Sequence, residues 1–179
     1  MSCGNSPSNR ISTLNEDAGP TINMPIYLVL ADKYMLENHK TAIFKALEEW
    51  SVKTNYTLVY DLDFVDMSKQ TKELDSIHTI KIFIKDPGPD YLGWTSWSRE
   101  KMSANIYVEP AIDENLFRKV MLHELGHAFD LRFNGDSHYS GPYKSVMHSS
   151  VGSEQLECPE LTAFCNNYNC QVDCTNVTE

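Results

Sequence analysis

The chain has 179 residues, a mass of 20.4 kDa and a net charge of −10, which suits one folded domain with a substantial core. Apolar residues make up 41% and charged residues 22% of it, so a disordered or fibrous protein is excluded. The 25 acidic residues outnumber the 15 basic ones and no basic cluster is present, which argues against a nucleic-acid partner; no apolar run is long enough for a transmembrane segment.

The first half of the chain is predicted to alternate between strands and helices. Residues 1–20 are rich in serine, asparagine and proline and are expected to form a flexible tether, which leaves a folded domain at 21–179. An apolar strand at 26–30 is followed by an amphipathic helix from about Glu37 to Lys53. Further strands are predicted at 56–60, 80–85, 91–98 and 104–109.

Two more helices are predicted in the second half. One begins after Asp113, a good N-cap, and is expected to continue to about Phe133, where Asn134-Gly135 supplies a left-handed stop. The other is expected at about 159–168. The whole pattern predicts an α+β domain.

The helix after Asp113 contains the H-E-x-x-H motif, His123-Glu124-Leu125-Gly126-His127. Residues four apart project from the same helix face, so both imidazoles can bind one tetrahedral zinc ion. Glu124 lies about 100° around the axis from His123, where it can accept a proton from zinc-bound water. The motif therefore predicts amide hydrolysis. Two histidines on a metal-free core helix would leave buried polar groups unpaired, which disfavours that alternative.

The order of the elements and two motifs resemble the metzincin clan of zinc endopeptidases over most of residues 21–168. The first long helix ends in A-L-E-E-W-S, and the H-E-L-G-H helix is followed by S-V-M-H at 145–148. S-V-M-H is similar to the clan's Met-turn in its astacin form, whereas the E-L-G-H core is more similar to the matrixins. The resemblance implies a twisted mixed sheet, mostly parallel, with two long helices, an active-site helix and a small C-terminal subdomain with a third helix. It also implies that Met147 forms an apolar floor beneath the metal.

The chain departs from the clan pattern after the second histidine. Clan members usually have a glycine three residues later and a third histidine three residues further on, where this chain has Asp130 and Phe133. His138 is the preferred third zinc ligand, because it precedes Met147 by nine residues, a gap similar to that in the clan. Asp136 and then Asp130 are the alternatives.

The resemblance also indicates residues that would contact a substrate. Segment 91–98 fits the clan's upper edge strand, along which an extended peptide pairs through backbone hydrogen bonds. Astacins carry a tyrosine two residues after the turn methionine, where Ser149 stands here, so an oxyanion-stabilising phenol must be Tyr139 or Tyr143, or be absent. The candidate contacts on the edge strand are Gly93, Trp94, Thr95 and Ser96.

Four of the five cysteines lie in the tail at 158–179. The intervals between them do not match the paired C-x-x-C spacing of a thiolate zinc site, so two disulfides are preferred, with all three pairings open. Disulfides indicate a secreted, periplasmic or cell-surface protein. The four residues are Cys158, Cys165, Cys170 and Cys174.

The fifth cysteine, Cys3, lies in the tether. S-C-G-N resembles the lipidated cysteine of bacterial lipoproteins, and a lipid anchor is the preferred interpretation. The alternatives are a cysteine switch like that of the matrixins and an idle thiol.

Other polar residues have simpler interpretations. Asp61, Asp63 and Asp66 could bind calcium, although a solvated acidic loop is preferred. His39 and His78 are expected to be solvated.

The combined expectation is a monomeric zinc endopeptidase that acts on protein or peptide substrates, with His123, His127 and His138 as ligands and Glu124 as general base. One alternative is a gluzincin-like peptidase whose third ligand is Glu154 or Glu157. The other is a secreted binding module with a structural zinc. A structural zinc is closed by four protein ligands and needs no base, so Glu124 argues against it.

Overall fold

A computed structural model describes residues 26–69, 78–98, 103–142, 144–149, 153–172 and 174. In these ranges five strands form one sheet, accompanied by three α-helices. The strands are β1 (Ile26–Asp32), β2 (Val59–Val65), β3 (His78–Ile84), β4 (Gly93–Ser98) and β5 (Ser103–Val108). The helices are α1 (Glu37–Lys53), α2 (Glu114–Ala128) and α3 (Cys158–Tyr168).

The sheet is mixed and has the order β2-β1-β3-β5-β4. The first four strands of this order run parallel, whereas β4 pairs with β5 in the antiparallel direction. Strand β4 therefore lies at an edge of the sheet, as the resemblance to the metzincins implies for its segment. The predicted α+β fold class, with a mostly parallel mixed sheet, is confirmed.

Strand β2 begins three residues later than predicted. Asn55 and Tyr56 have φ angles of 53° and 57°, so the chain makes a left-handed turn after α1 and cannot yet be extended. Asp61 and Asp63 consequently lie within β2 with exposed side chains, and the expected acidic loop is wrong for both. The Asp66 carboxylate pairs with Lys33 at 3.6 Å and with Lys69 at 3.4 Å, so lysines supply its counter-charge.

Helices α1 and α2 pack together through the predicted apolar face of α1. Trp50 is fully buried, and its Nε1 donates to the Leu122 carbonyl oxygen of α2 at 3.3 Å. This pair satisfies the buried indole N–H and joins the two helices. The fully buried residues of that face are Ala42, Ile43, Ala46, Leu47 and Trp50.

The prediction that His39 and His78 are solvated is wrong. His39 is 3% exposed and stacks on Phe117 of α2 at 4.5 Å between ring centroids. His78 is half-buried in β3, with its ring 5.2 Å from that of Tyr27. Burial lowers the pKa of both histidines, since it disfavours the charged imidazolium. His39 precedes Ala42 by three residues, so helical periodicity already put it on the buried face.

The four tail cysteines form two disulfides, as predicted, and the pairing is Cys158–Cys174 and Cys165–Cys170. We expect the intact mass to rise by about four hydrogens when the denatured protein is reduced. Peptide mapping without reduction should recover fragments linked in these two pairs. Four free thiols, or fragments linked in another pairing, would contradict the arrangement.

Candidate metal centre and cleft

A cleft of about 710 Å³ lies between the edge strand β4 and helix α2. Its wall on the sheet side includes Gly93, Trp94 and Thr95. Its floor on the helix side includes His123, Glu124 and His127. The predicted edge strand and the H-E-x-x-H motif therefore line one cavity.

Helix α2 begins as predicted but ends earlier. The Asp113 carboxylate accepts hydrogen bonds from the N–H groups of Asn115 at 2.9 Å and Leu116 at 3.0 Å, so Asp113 is the N-cap. The predicted end near Phe133 is wrong, because the last helical residue is Ala128 and Asp130 has a φ angle of 53°.

The end of α2 is a Schellman motif. The N–H groups of Asp130 and Leu131 donate to the carbonyl oxygens of His127 at 3.0 Å and Gly126 at 3.1 Å. Asp130 thus takes the left-handed conformation that glycine usually adopts at this site, and it stands where the metzincin pattern has its glycine. Although Asp130 replaces the glycine of the clan pattern, the chain still makes a left-handed turn at this position.

The predicted reversal at Asn134-Gly135 is present and brings His138 back to the helix. These two residues have φ angles of 54° and 91°, and Phe133 and Asp136 exchange backbone hydrogen bonds of 2.7 and 3.1 Å around them. The ring centroid of His138 lies 5.3 Å from that of His123.

The imidazoles of His123, His127 and His138 converge. One ring nitrogen from each lies within 4.8 Å of the other two, and no other such group of three His, Cys, Asp or Glu side chains occurs in the described residues. The Nε2 atoms of His123 and His127 are 3.0 Å apart. Two nitrogens bound to one tetrahedral zinc at 2.0–2.1 Å are separated by about 3.3 Å, so this donor set fits zinc.

The surroundings of His123 and His127 favour the neutral imidazole, which is the form that binds metal. His123 Nδ1 lies 2.6 Å from the Val146 carbonyl oxygen, which accepts the Nδ1 proton and leaves Nε2 with a lone pair. Burial lowers the pKa of His123, partly opposed by this hydrogen bond. Burial and the neighbouring His123 and His138 lower the pKa of His127 to about 3.

Glu124 is buried beside the three histidines and faces the edge strand. Its Oε2 accepts a hydrogen bond from the Thr95 hydroxyl at 2.6 Å. Burial raises the pKa of Glu124 to about 7, and the hydrogen bond from Thr95 opposes that shift. A carboxylate with a pKa near neutrality can both accept and return a proton, which is what general acid–base chemistry requires.

Two glycines let the site close around these groups. A Cβ on Gly93 would lie 2.6 Å from Glu124 Oε1 and from Val120 Cγ1, so only glycine lets β4 approach α2 this closely. A Cβ on Gly126 would collide with the sulfur of Met147, which is fully buried beneath the helix. Met147 therefore packs directly under the H-E-x-x-H segment.

Glu160 of α3 supports the methionine turn, a role that sequence reasoning missed. Its fully buried carboxylate accepts hydrogen bonds from Ser145 Oγ at 2.7 Å and from the Val146 N–H at 3.2 Å. The Val146 carbonyl oxygen in turn accepts a hydrogen bond from Nδ1 of His123. Two hydrogen bonds through Val146 therefore link the Glu160 carboxylate to a ring of the histidine cluster. Only the capping-box spacing of Glu157 and Glu160 was visible in the sequence, and it points to a helix start.

The alternative third ligands have other partners. Asp136 accepts from the backbone N–H of His138 at 3.0 Å, and Asp130 binds Arg132 at 2.9 Å. Glu154 pairs with Lys119 at 2.6 Å, and Glu157 caps helix α3. These contacts account for all four carboxylates, whereas His138 alone joins the other two histidines.

Tyr139, one of the two tyrosine candidates, is absent from the described lining of the cleft. Tyr139 packs 5.5 Å from both Phe133 and His148 and lines a second cavity beside α3. Tyr143 lies outside the described residues. His148 lines the cleft but is not one of the three clustered histidines.

Side chains along strand β4 alternate between partly buried and exposed up to Trp97. Thr95 points to Glu124, whereas Trp94 is 49% exposed, and Ser96 is exposed outside the described lining of the cleft. Trp97 is partly buried and packs against the core, so the two tryptophans point to opposite faces of the strand. In the described residues β4 has a strand partner on one side only, which leaves its other edge available for backbone pairing.

No protein-family model matches the sequence, and no curated protein matches it. The fold is similar to that of high choriolytic enzyme 1, a hatching-enzyme zinc protease from the medaka fish Oryzias latipes, with a TM-score of 0.54 and 11% sequence identity. The match covers 84% of this chain and 92% of that chain. At this identity the likeness establishes a shared fold, in agreement with the metzincin-like architecture expected above. None of the described helices is both long and apolar enough to cross a membrane.

Proposed function

We propose that this protein is a zinc-dependent endopeptidase of the metzincin clan, with residues 21–179 as its catalytic domain behind a tether at 1–20. The observation that carries the proposal is the convergence of three imidazoles beside a buried glutamate in a cleft bordered by an edge strand. His123, His127 and His138 would hold zinc. When bound, zinc supplies Lewis acidity that activates water and polarises a substrate carbonyl.

The chain's own groups would then move the protons. Glu124 accepts a proton from the attacking water and returns it to the leaving amine, which its proximity to the histidines and its raised pKa support. The Thr95 hydroxyl orients the Glu124 carboxylate through its hydrogen bond. Met147 packs under the helix and, together with the Val146–His123 hydrogen bond, restrains the histidine rings.

The free edge of β4 would bind the substrate in an extended conformation. Backbone groups of Gly93, Trp94, Thr95 and Ser96 pair with the peptide, as in other additions of a strand to a sheet edge. Pairing along the backbone favours an unfolded or flexible segment of a protein over a compact small molecule. It also holds the scissile bond near Glu124, since Thr95 belongs to the same strand.

The same features argue against the two alternative functions. Neither Glu154 nor Glu157 belongs to the cluster of three ligand side chains, and Glu157 caps α3, which argues against a gluzincin-like ligand set. A purely structural zinc site is closed by four protein ligands, whereas three histidines converge here next to a buried carboxylate.

The cellular setting follows from the cysteines. Two disulfides favour an oxidising compartment, so we propose a secreted, periplasmic or cell-surface enzyme that acts as a monomer. The proposed lipid anchor, Cys3, lies outside the described residues. The proposed calcium site of Asp61, Asp63 and Asp66 gains no support, because Asp66 is neutralised by lysines.

The proposal is tested with a mixed peptide library. We expect the zinc-loaded protein to cleave internal peptide bonds, to lose this activity on removal of zinc by a chelator, and to regain it when zinc is restored. Metal analysis should give one zinc per chain. Stoichiometric zinc without cleavage of any peptide or unfolded protein would contradict the peptidase and favour a structural metal.

A further inference from the structure

We propose that Lys119 selects substrates with an acidic side chain next to the scissile bond. The inference rests on the proposed peptidase function of the same cleft. It begins from charge: in a protein with a net charge of −10, the cationic side chains of the described cleft lining are Lys119 and Arg132. A substrate carboxylate that enters the cleft can therefore pair with one of these two.

Lys119 lies close to the reacting groups. It precedes His123 by four residues in α2, so both side chains project from the same helix face, with Cβ atoms about 5–6 Å apart. An extended peptide advances about 3.3 Å per residue, so a residue adjacent to a carbonyl held at the histidines lies within reach of the ammonium group. The Lys119 side chain is only 22% exposed, which strengthens its interaction with an entering charge.

The present partner of Lys119 can be displaced. Its ammonium lies 2.6 Å from the Glu154 carboxylate, whose side chain is 78% exposed. A substrate carboxylate would take over the same contact with Lys119 while the exposed Glu154 carboxylate returns to water, so the exchange costs little. The backbone of Glu154 is held by a hydrogen bond from Arg118 to its carbonyl oxygen at 2.8 Å, so only its side chain needs to move.

The carboxylate partner of Arg132 is not displaced as easily. Its Nε and Nη2 atoms both bind Oδ1 of Asp130, at 3.0 and 2.9 Å. The Asp130 side chain is only 18% exposed and its backbone belongs to the Schellman motif that ends α2. Arg132 itself is 53% exposed, but its partner makes two contacts and is anchored, whereas Lys119 has one contact with an exposed carboxylate, so substrate recognition by charge falls to Lys119.

The test compares peptides that differ only by Glu or Gln at one position next to the cleaved bond, with the zinc-loaded full chain. We expect kcat/KM for the Glu peptide to be about ten times that for the Gln peptide when the difference lies at one flanking position. Lys119→Gln should bring the ratio near one. Glu154→Gln should raise it, because it removes the competing carboxylate. Arg132→Gln is the matched control and should keep a ratio well above one.

Each ratio is measured within one preparation, so it does not depend on how much of a variant is folded. A ratio near one in the unaltered protein, an equal ratio in Lys119→Gln, or a loss confined to Arg132→Gln would overturn the inference and leave the peptidase intact. A lower ratio in Glu154→Gln would also overturn it. Hydrolysis of neither peptide, nor of any library member, would contradict the proposed function itself.

Discussion

Replacing Glu124 with glutamine is expected to reduce peptide hydrolysis by roughly 10²-fold or more, the effect of losing a positioned general base. Glutamine has nearly the same shape, and its amide oxygen can still accept the hydrogen bond from Thr95. It cannot take a proton from the attacking water. The Glu124 carboxylate is not among the three converging ligand groups, so zinc content should stay at the level of the unaltered protein.

The control for this substitution is Glu37→Gln, which removes an exposed carboxylate from the first turn of α1. It should change neither hydrolysis nor zinc content. Turnover by Glu124→Gln at the rate of the unaltered protein would rule out the proton-transfer role. Loss of zinc from Glu124→Gln would instead show that the carboxylate belongs to the metal site.

Replacing His138 with alanine is expected to lower zinc affinity by several kcal/mol and to abolish hydrolysis, since it leaves two of the three converging imidazoles. Zinc affinity is measured by competition with a chelator of known strength. The effect should be specific for the ligand, because His138 follows a backbone reversal that its own side chain does not build.

Asp136→Ala and His148→Ala are the matched controls, because one lies two residues away and the other lines the same cleft. Both should retain stoichiometric zinc. Asp136→Ala removes a hydrogen bond to the backbone of His138, so a small loss of affinity is compatible with the proposal. Full zinc occupancy in His138→Ala, with loss in Asp136→Ala or Asp130→Ala, would identify an aspartate as the third ligand.

Local patterns predicted the parts of the site that local physics determines. Helical spacing assigned His123, Glu124 and His127 to α2, and Asp113 caps that helix as expected. The preference of Asn134-Gly135 for positive φ likewise predicted the turn before His138. In each case the energy that decides the conformation comes from residues within one or two turns of each other.

Other expectations failed where distant residues decide the outcome. The end of α2 depends on Asp130, which pattern alone kept in the helix. The next residue, Leu131, is buried, and its N–H donates to the Gly126 carbonyl oxygen. Both interactions offset the strain of the left-handed conformation of Asp130. His39 was assigned to an exposed face of α1, yet stacking on Phe117 of α2 buries it.

The sequence by itself therefore determined the fold class, the H-E-x-x-H helix and the reversal that precedes His138, because backbone preferences and side-chain periodicity are local. The tertiary structure alone decided the convergence of His138 with the other histidines, the hydrogen bond from Thr95 to Glu124 and the support of the methionine turn by Glu160. Thr95 and Glu124 are 29 residues apart, and spacing within an element carries no information on such pairs. They form because packing of the sheet edge, α2 and α3 desolvates polar groups, and a buried carboxylate or imidazole is stable only where another element supplies its partner.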